Sequence, residues 1–519
     1  MPYFILISLT SSGIIPSANR VYFMREKMFQ YINIIVICIG FYILFIFLFS
    51  RSTVDYDIWG YLSFGRVYWE EGYFPYQDIF AYTPTKPLWV YHEWLTGVIL
   101  YPILKYLGPA GIQLFRYTFI VLTIYIMYLV AIKKGGTPLV SLVCISVGLI
   151  LMSWGYTPVM RAQIFTYLFF PLSVYILETA RKDKKWLALL WVLPIQILWC
   201  NLHGGFLAGL GLIVLYALGD GLSGKKFFPF VITFIAASLV NLINPYGFEY
   251  WMYIIEAVSM PRPGISEWFS VITYLQLKNY VIPSVIFIAV SIFSLLVLIL
   301  HGKKYLTELV IFTAVICLGY KHIRHTIFLG LVFGMFMPGI LSGMKEVATK
   351  KWPLMRRITW VTPILLVFFY FPANYFLSKK PYVSASVLPT FSISAPRSIF
   401  PVGALEWMGE NYFEGNILSL FQWGQYIIWS THPKCKVAMD GRYETIYPEH
   451  VQKEYFDFAN GRDGWRIFLN KYPHDAVLIM AKTKIHLLML KEPLWEKVYS
   501  DGLCVLFIRK DRKEKSVNK

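Results

Sequence analysis

The amino-acid sequence predicts a polytopic α-helical membrane protein that carries a soluble α/β domain at its C-terminal end. Of its 519 residues, 57% are hydrophobic and only 15% are charged, whereas an ordinary soluble domain has about 25% charged residues. The apolar residues also form runs of about 20, the length that crosses a hydrocarbon core as a helix. The clearest runs are Tyr31–Ser50, Ile112–Ile132, Val281–His301 and Ile358–Leu377. Core helices of soluble proteins rarely stay apolar for so long, so a soluble fold is disfavoured.

The net charge is +18, and the basic residues are distributed as in cytoplasmic loops rather than as in a nucleic-acid-binding surface. Basic residues form short clusters between the apolar runs, as the positive-inside rule predicts. No basic stripe is interleaved with base-stacking aromatic residues. The clusters are Lys133-Lys134, Arg181–Lys185, Lys225-Lys226, Lys303-Lys304 and Lys345–Arg357. We therefore expect a membrane protein that has no nucleic-acid partner.

The apolar segments predict 11 to 13 crossings by their length. With the N-terminus placed in the cytoplasm, Tyr31–Ser50 leads outward and residues 51–91 form a polar and aromatic outer loop. After Lys133-Lys134 the expected crossings follow in alternation. They are Leu139–Leu151, Ile164–Ala180, Trp186–Trp199, Gly204–Leu218, Phe227–Ile243, Val281–Leu300, Leu306–Leu318, Thr326–Leu341 and Ile358–Leu377.

One region does not fit this alternation. Leu88–Leu107 and Ile112–Ile132 resemble two helices joined at Gly108. Two full crossings there would place Lys133-Lys134 outside, against the charge rule. Either Leu88–Leu107 is re-entrant, or a later short segment fails to cross.

The chain is expected to divide into three parts. Residues 1–28 form an N-terminal cytoplasmic segment, in which Met24 is a candidate natural start. Residues 29–377 form the transmembrane domain, and residues 378–519 form an extracytoplasmic α/β domain. Short β-like runs and helical stretches alternate in that last part. The strand-like runs are Asn416–Phe421, Lys436–Met439, Ala476–Met480, Lys497–Ser500 and Cys504–Ile508, and the helical stretches include Val402–Asn411 and Glu449–Ala459.

The richest chemistry lies just after the first apolar run. Asp55 and Asp57 follow the expected membrane exit by a few residues. Two carboxylates at this spacing can share a divalent cation, Mg or Mn, or one can raise the pKa of the other for base chemistry. A pair of solvated loop acids has the same sequence pattern, because so short a motif is weak evidence.

Further polar groups are expected at the same membrane edge, where intramembrane charges suggest function. His92 and Glu93 begin an apolar helix, where Glu93 also suits the positive helix N-terminus. His203 suits an interfacial cap equally well. The densest basic patch would bind an anionic ligand, with lipid headgroups or snorkelling as the alternatives. The candidates in these outer turns are His92, Glu93, Arg161, His203, Glu267, His322, Arg324 and His325. Together, carboxylates, cations and aromatic faces suit a lipid-linked sugar phosphate.

This layout resembles the GT-C glycosyltransferases, membrane enzymes that take a sugar from a polyprenyl-phosphate carrier, such as protein O-mannosyltransferases and lipid A aminoarabinose transferases. The resemblance implies that Asp55 or Asp57 is the catalytic carboxylate. It also implies that Lys86, in Lys86-Pro87-Leu88-Trp89, contacts the carrier phosphate, although those enzymes often have two prolines in this motif. Five further motifs resemble an uncharacterised bacterial subgroup. They are His92–Leu95, Trp199–Gly205, Asn244–Gly247, Glu267-Trp268 and Asp440–Tyr443.

The expected function is therefore glycosyl transfer at the outer face of a prokaryotic plasma membrane. The donor would be a polyprenyl-phosphate-linked sugar, and the acceptor an envelope glycan, lipid or protein. Asp440 and Arg442 are acceptor-side candidates, or else an ion pair that holds a turn at a strand end. Two other classes stay open: a lipid or solute transporter or flippase, and a non-catalytic GT-C-like scaffold of envelope assembly. A transporter would favour internal repeats and mid-membrane charges, and the charges here are predicted to gather at one face.

Overall fold

The structure is a computed structural model that describes residues 54–155, 160–260, 265–277, 281–351 and 391–511. The expected spans Tyr31–Ser50 and Ile358–Leu377 lie outside these residues. The predicted domain boundaries at residues 28 and 378 lie outside them as well. Both boundaries therefore stay predictions.

The N-terminal part is helical. Its helices are α1 (Ile58–Arg66), α2 (Trp94–Lys133), α3 (Pro138–Gly155), α4 (Gln163–Lys182), α5 (Val192–Leu202), α6 (Phe206–Leu222), α7 (Phe228–Val240), α8 (Phe248–Ser259), α9 (Val271–Gln276), α10 (Val281–Leu300), α11 (Leu306–Lys321) and α12 (Thr326–Lys351). Short 3-10 or π turns flank several of them. These turns are Val67–Glu71, Trp186–Trp191, Ser266–Trp268, Gly302–Tyr305 and Ile323–His325.

Several of these helices have the composition of membrane spans. Among the described residues, Trp94–Lys133, Val281–Leu300 and Ile323–Met344 are long and apolar enough to cross a membrane. Four further helices are apolar but shorter, namely Pro138–Met152, Trp186–Leu202, Phe206–Leu222 and Phe228–Val240. The predicted membrane fold class is confirmed, and the count of 11 to 13 crossings stays a prediction.

The helical bundle has two ends, and polar side chains gather at both. At one end, which we call the site face, lie Arg161 before α4 and His203 after α5. At the opposite face, Lys134 Nζ lies 3.1 Å from Glu178 Oε1 near the end of α4, and 2.5 Å from Glu308 Oε1. Because the 20 residues of α4 rise about 30 Å, the two groups are a full helix length apart.

Helix α2 explains the region that did not fit the expected alternation. Gly108 breaks the helix with φ of 63° and ψ of −166°. Before the break, Lys105 Nζ lies 2.9 Å from Glu70 Oε1 of the outer loop. After it, Gln113 Nε2 donates to the carbonyl oxygen of Ser392 at 2.7 Å. The arm before Gly108 therefore runs along the site face without crossing the bundle, and the arm after it crosses once to Lys134.

The C-terminal part is an α/β domain, as predicted. Its strands are β1 (Gly415–Ser419), β2 (Cys435–Val437), β3 (Ala476–Met480), β4 (Trp495–Ser500) and β5 (Cys504–Arg509), and each overlaps a predicted run. Their order is β2-β1-β3-β5-β4, with β2, β1 and β3 parallel and the last two antiparallel. The helices are α13 (Val402–Glu410), α14 (Gly424–Thr431), α15 (Tyr443–Ile446), α16 (Glu449–Ala459), α17 (Trp465–Lys471) and α18 (Lys484–Met489).

The outer loop is joined to this domain along the edge of the sheet. Ala81 forms a parallel bridge with Val437 of β2, and the amide of Val437 donates to the carbonyl oxygen of Phe80 at 3.0 Å. The hydroxyl of Thr83 donates to the carbonyl oxygen of Ala438 at 2.6 Å. The loop thus covers an edge that would otherwise expose unpaired backbone groups, and it fixes the domain at the site face.

Candidate functional site

The centre of the site is the guanidinium of Arg161, which lies among three carboxylates. Its Nη2 is 2.6 Å from Asp57 Oδ2, its Nη1 is 2.5 Å from Glu267 Oε1, and its Nε is 3.3 Å from Asp55 Oδ1. Three separate elements converge here: the turn before α1, the turn before α4, and the 3-10 turn Ser266–Trp268. The structure therefore brings four of the predicted site residues into direct contact.

The carboxyl of Asp55 has the properties of a proton acceptor. Burial raises its pKa to about 7, with Asp57 adding to the rise and Arg161 opposing it. The amide of Asp57 donates to Asp55 Oδ1 at 3.1 Å, which holds the carboxyl in place. A general base works best when its pKa lies near the working pH. The environment of Asp55 therefore suits that role.

Glu267 completes the carboxylate group. Burial alone would raise its pKa, but Arg161 and Arg324 lower it below the usual value. Glu267 therefore stays ionised and neutralises part of the surrounding positive charge.

A second layer surrounds Glu93, at the start of α2. Burial, followed by the negative charge of Asp57, raises the pKa of Glu93 to about 8, while a hydrogen bond from Tyr61 opposes the rise. His203 Nε2 and His92 Nε2 lie 3.7 and 3.8 Å from Glu93 Oε1. Glu93 thus keeps its proton to higher pH than an ordinary carboxyl, and when protonated it can donate as well as accept a hydrogen bond.

The orientation of His203 follows from its neighbours. The amide of Gly205 donates to Nδ1 at 3.0 Å, and the hydroxyl of Thr166 lies 2.7 Å from the same atom. The indole of Trp199 donates to Thr166 Oγ1 at 2.8 Å, so the hydroxyl proton is directed to His203. Burial lowers the pKa of His203 well below its usual value, so the ring is neutral. Because Nδ1 accepts these hydrogen bonds, the one ring proton is on Nε2, which faces Glu93.

The predicted basic patch packs around Trp268. The guanidinium of Arg324 lies 4.9 Å from the centre of that ring. The rings of His322 and His325 lie 4.9 and 6.0 Å from it. His322 Nδ1 is 2.7 Å from the carbonyl oxygen of Trp268 and donates to it. The turn Ser266–Trp268 therefore connects the carboxylates to Arg324 and the two histidine rings, because Glu267 contacts Arg161 and Trp268 contacts Arg324.

Three of the sequence motifs meet behind this site. The indole of Trp94 donates to Asn201 Oδ1 at 2.9 Å, and Asn201 Nδ2 donates to the carbonyl oxygen of Ile243 at 2.9 Å. The amide of Tyr91 donates to the hydroxyl of Tyr246 at 3.0 Å. The segments His92–Leu95, Trp199–Gly205 and Asn244–Gly247 therefore support one another and hold Glu93 and His203 in position.

Lys86 contacts a different part of the site face. Its Nζ lies 2.9 Å from Glu256 Oε1 of α8, and its amide donates to the carbonyl oxygen of Ile446 at 2.7 Å. The structure therefore gives Lys86 partners other than the carboxylates around Arg161, and its role toward a carrier phosphate stays a prediction.

Asp440 and Arg442 are buried between the domain and the outer loop. Arg442 Nη2 lies 2.6 Å from Asp440 Oδ2, its Nη1 contacts Asp78, and both acids are almost fully buried. The guanidinium also lies 4.8 Å from the centre of the Trp89 ring. In this structure the pair holds a turn and fastens the loop, and its acceptor-side role stays a prediction.

The spacing of Asp55 and Asp57 left open a divalent cation at this site, and the positions of the surrounding side chains bear on it. Among the described residues, no group of three or more His, Cys, Asp or Glu side chains is arranged to hold a metal ion. Carboxylates are suitable Mg and Mn ligands, but oxygen atoms of Asp57 and Glu267 are already in close contact with Arg161. The arrangement therefore does not fit a metal ion in this position.

Some residues around the site were not predicted from the sequence. Tyr61 and Thr166 are polar residues in apolar or aromatic segments, and no motif distinguishes them. Trp268 was noted only as part of the Glu267-Trp268 pair. A weak signal existed for Thr166, because a hydroxyl inside a predicted span needs a partner.

The fold was compared with known proteins. No protein-family model matches the chain, and no curated protein matches it. Solved structures do match. The apo oligosaccharyltransferase of Archaeoglobus fulgidus aligns with a TM-score of 0.55 at 12% identity, covering 87% of this chain and 70% of that one. The AglB oligosaccharyltransferase of the same organism, in complex with an inhibitory peptide and a dolichol-phosphate, aligns with a TM-score of 0.53 at 12% identity, over 87% and 69%.

A third solved structure matches over nearly its whole length. Apo ArnT from Cupriavidus metallidurans aligns with a TM-score of 0.50 at 13% identity, covering 93% of this chain and 98% of that one. These proteins are GT-C glycosyltransferases. At such low identity the likeness concerns the fold, and it confirms the predicted one: this chain is a membrane protein with a GT-C-like fold.

Proposed function

We propose that this protein transfers a sugar from a polyprenyl-phosphate carrier to an envelope glycan, lipid or protein acceptor. The reaction would occur at the outer face of a prokaryotic plasma membrane, with the C-terminal domain outside the cytoplasm. One observation carries the proposal. On a GT-C-like scaffold, the partly buried carboxylates of Asp55 and Asp57 contact Arg161, next to Glu267 and to the Arg324 guanidinium that packs on Trp268.

The proposed reaction is a single displacement. The acceptor oxygen forms a bond to the anomeric carbon of the sugar while the bond from that carbon to the carrier phosphate breaks. The phosphate leaves with the bonding electron pair, and the acceptor proton passes to Asp55. The anomeric configuration is inverted, because the acceptor attacks opposite the leaving group.

Each end of the reaction has a matching group. Asp55 is the proton acceptor, since its pKa of about 7 lies near a neutral working pH. Arg324 would face the leaving phosphate, where a cation stabilises the charge that develops, and the ring of His322 would lie beside it. Arg324 contacts the face of Trp268, and no ion pair to its guanidinium is seen within the described part of the chain.

The structural neighbours support this choice of donor class. The AglB structure contains a dolichol-phosphate and a peptide, so a protein of this fold accommodates a lipid-linked phosphate. In this chain His92, Glu93 and His203 would line the sugar pocket, with Lys86 as a further candidate for the carrier phosphate.

The proposal is tested by glycan analysis of cells. A deletion strain is complemented with the wild-type chain, Asp55→Asn or Asp57→Asn, and envelope glycans and glycolipids are profiled by mass spectrometry. We expect the deletion to lose one glycosylated product. Asp55→Asn should restore it at a rate lower by about 10²–10⁴, the usual contribution of a general base.

The matched control is Asp463→Asn, the same change at an exposed position of the C-terminal domain. It should restore the product fully, and immunoblots should show equal amounts of each variant in the membrane. Unchanged profiles in the deletion strain would contradict the proposal. Full restoration by both aspartate variants would instead favour a transporter or a scaffold.

A further inference from the structure

The cluster of Asp55, Asp57 and Glu267 raises a question of charge. Three carboxylates at one partly buried place repel one another, and such a group needs cations to be stable. In many sites of this composition a divalent metal ion supplies the charge. Here, the positive charge in contact with all three is part of the chain itself.

Arg161 is well suited to this position. A guanidinium is planar and presents five donors in a fixed fork, so it can serve several carboxylates at once. In this site its three nitrogens face three different side chains, at 2.5, 2.6 and 3.3 Å. The flanking residues Met160 and Ala162 are fully buried, which fixes the backbone from which Arg161 extends.

A second cation makes an added metal ion still less favourable. Arg324 is close enough to Glu267 to lower its pKa, as Arg161 does. The guanidinium groups of Arg161 and Arg324 thus already supply two positive charges to this cluster. A divalent ion would have to displace Arg161 and then lie beside it, where like charges repel.

We propose that Arg161 is a built-in counter-cation that occupies the place of a divalent metal ion among Asp55, Asp57 and Glu267. The wild-type site therefore binds no Mg²⁺ or Mn²⁺, and removal of Arg161 converts it into a site that does. This property depends on the geometry alone. Its consequence for the proposed glycosyl transfer, which would need no metal, rests on that proposed function.

The test measures Mn²⁺ binding to the full-length protein in detergent, without any substrate. The loss of the free Mn²⁺ signal in electron paramagnetic resonance reports the bound fraction. Wild type should show no saturable site, and Arg161→Gln should gain one. The double variant Arg161→Gln/Asp57→Asn should bind Mn²⁺ at least about tenfold more weakly than Arg161→Gln does, a difference of about 1.4 kcal/mol in binding free energy.

The matched control is Arg462→Gln, which removes the same charge from an exposed arginine of the C-terminal domain and should gain no site. Folded Arg161→Gln protein that binds no Mn²⁺ would overturn the proposal. So would saturable binding by wild type that Asp57→Asn abolishes. If Arg161→Gln does not fold, Arg161→Met, which also removes the charge but keeps an apolar stem, takes its place in the same measurement. Because no activity is measured, the outcome is independent of the glycosyl-transfer experiment.

Discussion

At the scale of single residues, similar groups of the candidate site have unequal environments. Asp55, Asp57, Glu93 and Glu267 are all carboxyls, yet each meets a different set of neighbours. Burial raises the pKa of Asp55 to about 7 and that of Glu93 to about 8, whereas two guanidinium groups lower the pKa of Glu267. One carboxyl can therefore accept a proton at neutral pH while another holds one, which is how a single site separates base and donor roles.

This difference predicts the pH dependence of transfer. The base must be ionised, so the rate should rise with pH through about 7 and then level off. Asp57 raises the pKa of Asp55 and Arg161 lowers it. Asp57→Asn should therefore move the rising part of the pH profile of kcat/KM to lower pH, by roughly one unit. Arg161→Gln should move it to higher pH by a similar amount. The measurement is kcat/KM against pH for the residual activity.

The control for this series is Glu410→Gln, at an exposed position of α13, which should leave the pH profile of kcat/KM unchanged. A shift of both site variants in the same direction would show that Asp55 is not the titrating group.

At the scale of elements, the break in α2 decides how the chain enters the bundle. The residues before Gly108 pack on the outer loop, and the residues after it cross to the opposite face. Both arms are apolar and helical, so only the conformation at one residue separates them. At Gly108, φ of 63° with ψ of −166° lies in a region that residues with a Cβ rarely adopt.

Gly108→Ala should therefore destabilise the protein, by about 1–3 kcal/mol of conformational strain. No neighbouring atom lies within 4 Å of the added Cβ, so the loss would come from the backbone and not from a clash. Gly343→Ala is the matched control, since Gly343 lies inside α12 and also has open space around it. There Ala should be neutral or stabilising. Thermal unfolding in detergent measures the stability of both variants. Equal effects of the two substitutions would contradict a special backbone requirement at Gly108.

At the scale of the whole molecule, the site face is assembled from the bundle, the outer loop and the C-terminal domain. The loop pairs with β2, and the amide of Lys86 donates to Ile446 of the domain. Asp78 and Arg442 join the same two parts by a buried ion pair. The domain thus holds in place a loop that leads directly into His92 and Glu93.

Arg442→Lys should loosen this connection. Lysine keeps the charge but loses the forked hydrogen bonds to Asp440 and the contact with Trp89. We expect the free energy of unfolding to fall by about 1.5–3 kcal/mol, the contribution of a hydrogen bond to a charged group. Hydrogen exchange should become faster at the amides of residues 78–91.

Arg462→Lys provides the comparison, because Arg462 pairs with Asp457 in solvent and such pairs contribute about 0–1 kcal/mol. If Arg442→Lys leaves exchange in the loop unchanged, the ion pair does not position it.

The sequence by itself determined the membrane character, the five strands of the C-terminal domain and the carboxylates that surround Arg161. These features depend on local patterns: the length of an apolar run, the alternation of a strand, and a carboxylate beside a membrane exit. The position of Asp55 and Asp57 just after an apolar run needed no structure.

Only the tertiary structure decided which of these residues act together. Asp57 and Arg161 are 104 positions apart, and Arg161 and Glu267 are 106 apart, so their contact depends on how the helices pack. The kink at Gly108 and the burial that raises the pKa of Asp55 are likewise invisible in a local pattern. A charged side chain in a sequence has no environment until the fold supplies its neighbours, and here those neighbours place Arg161 at the centre of the predicted carboxylates.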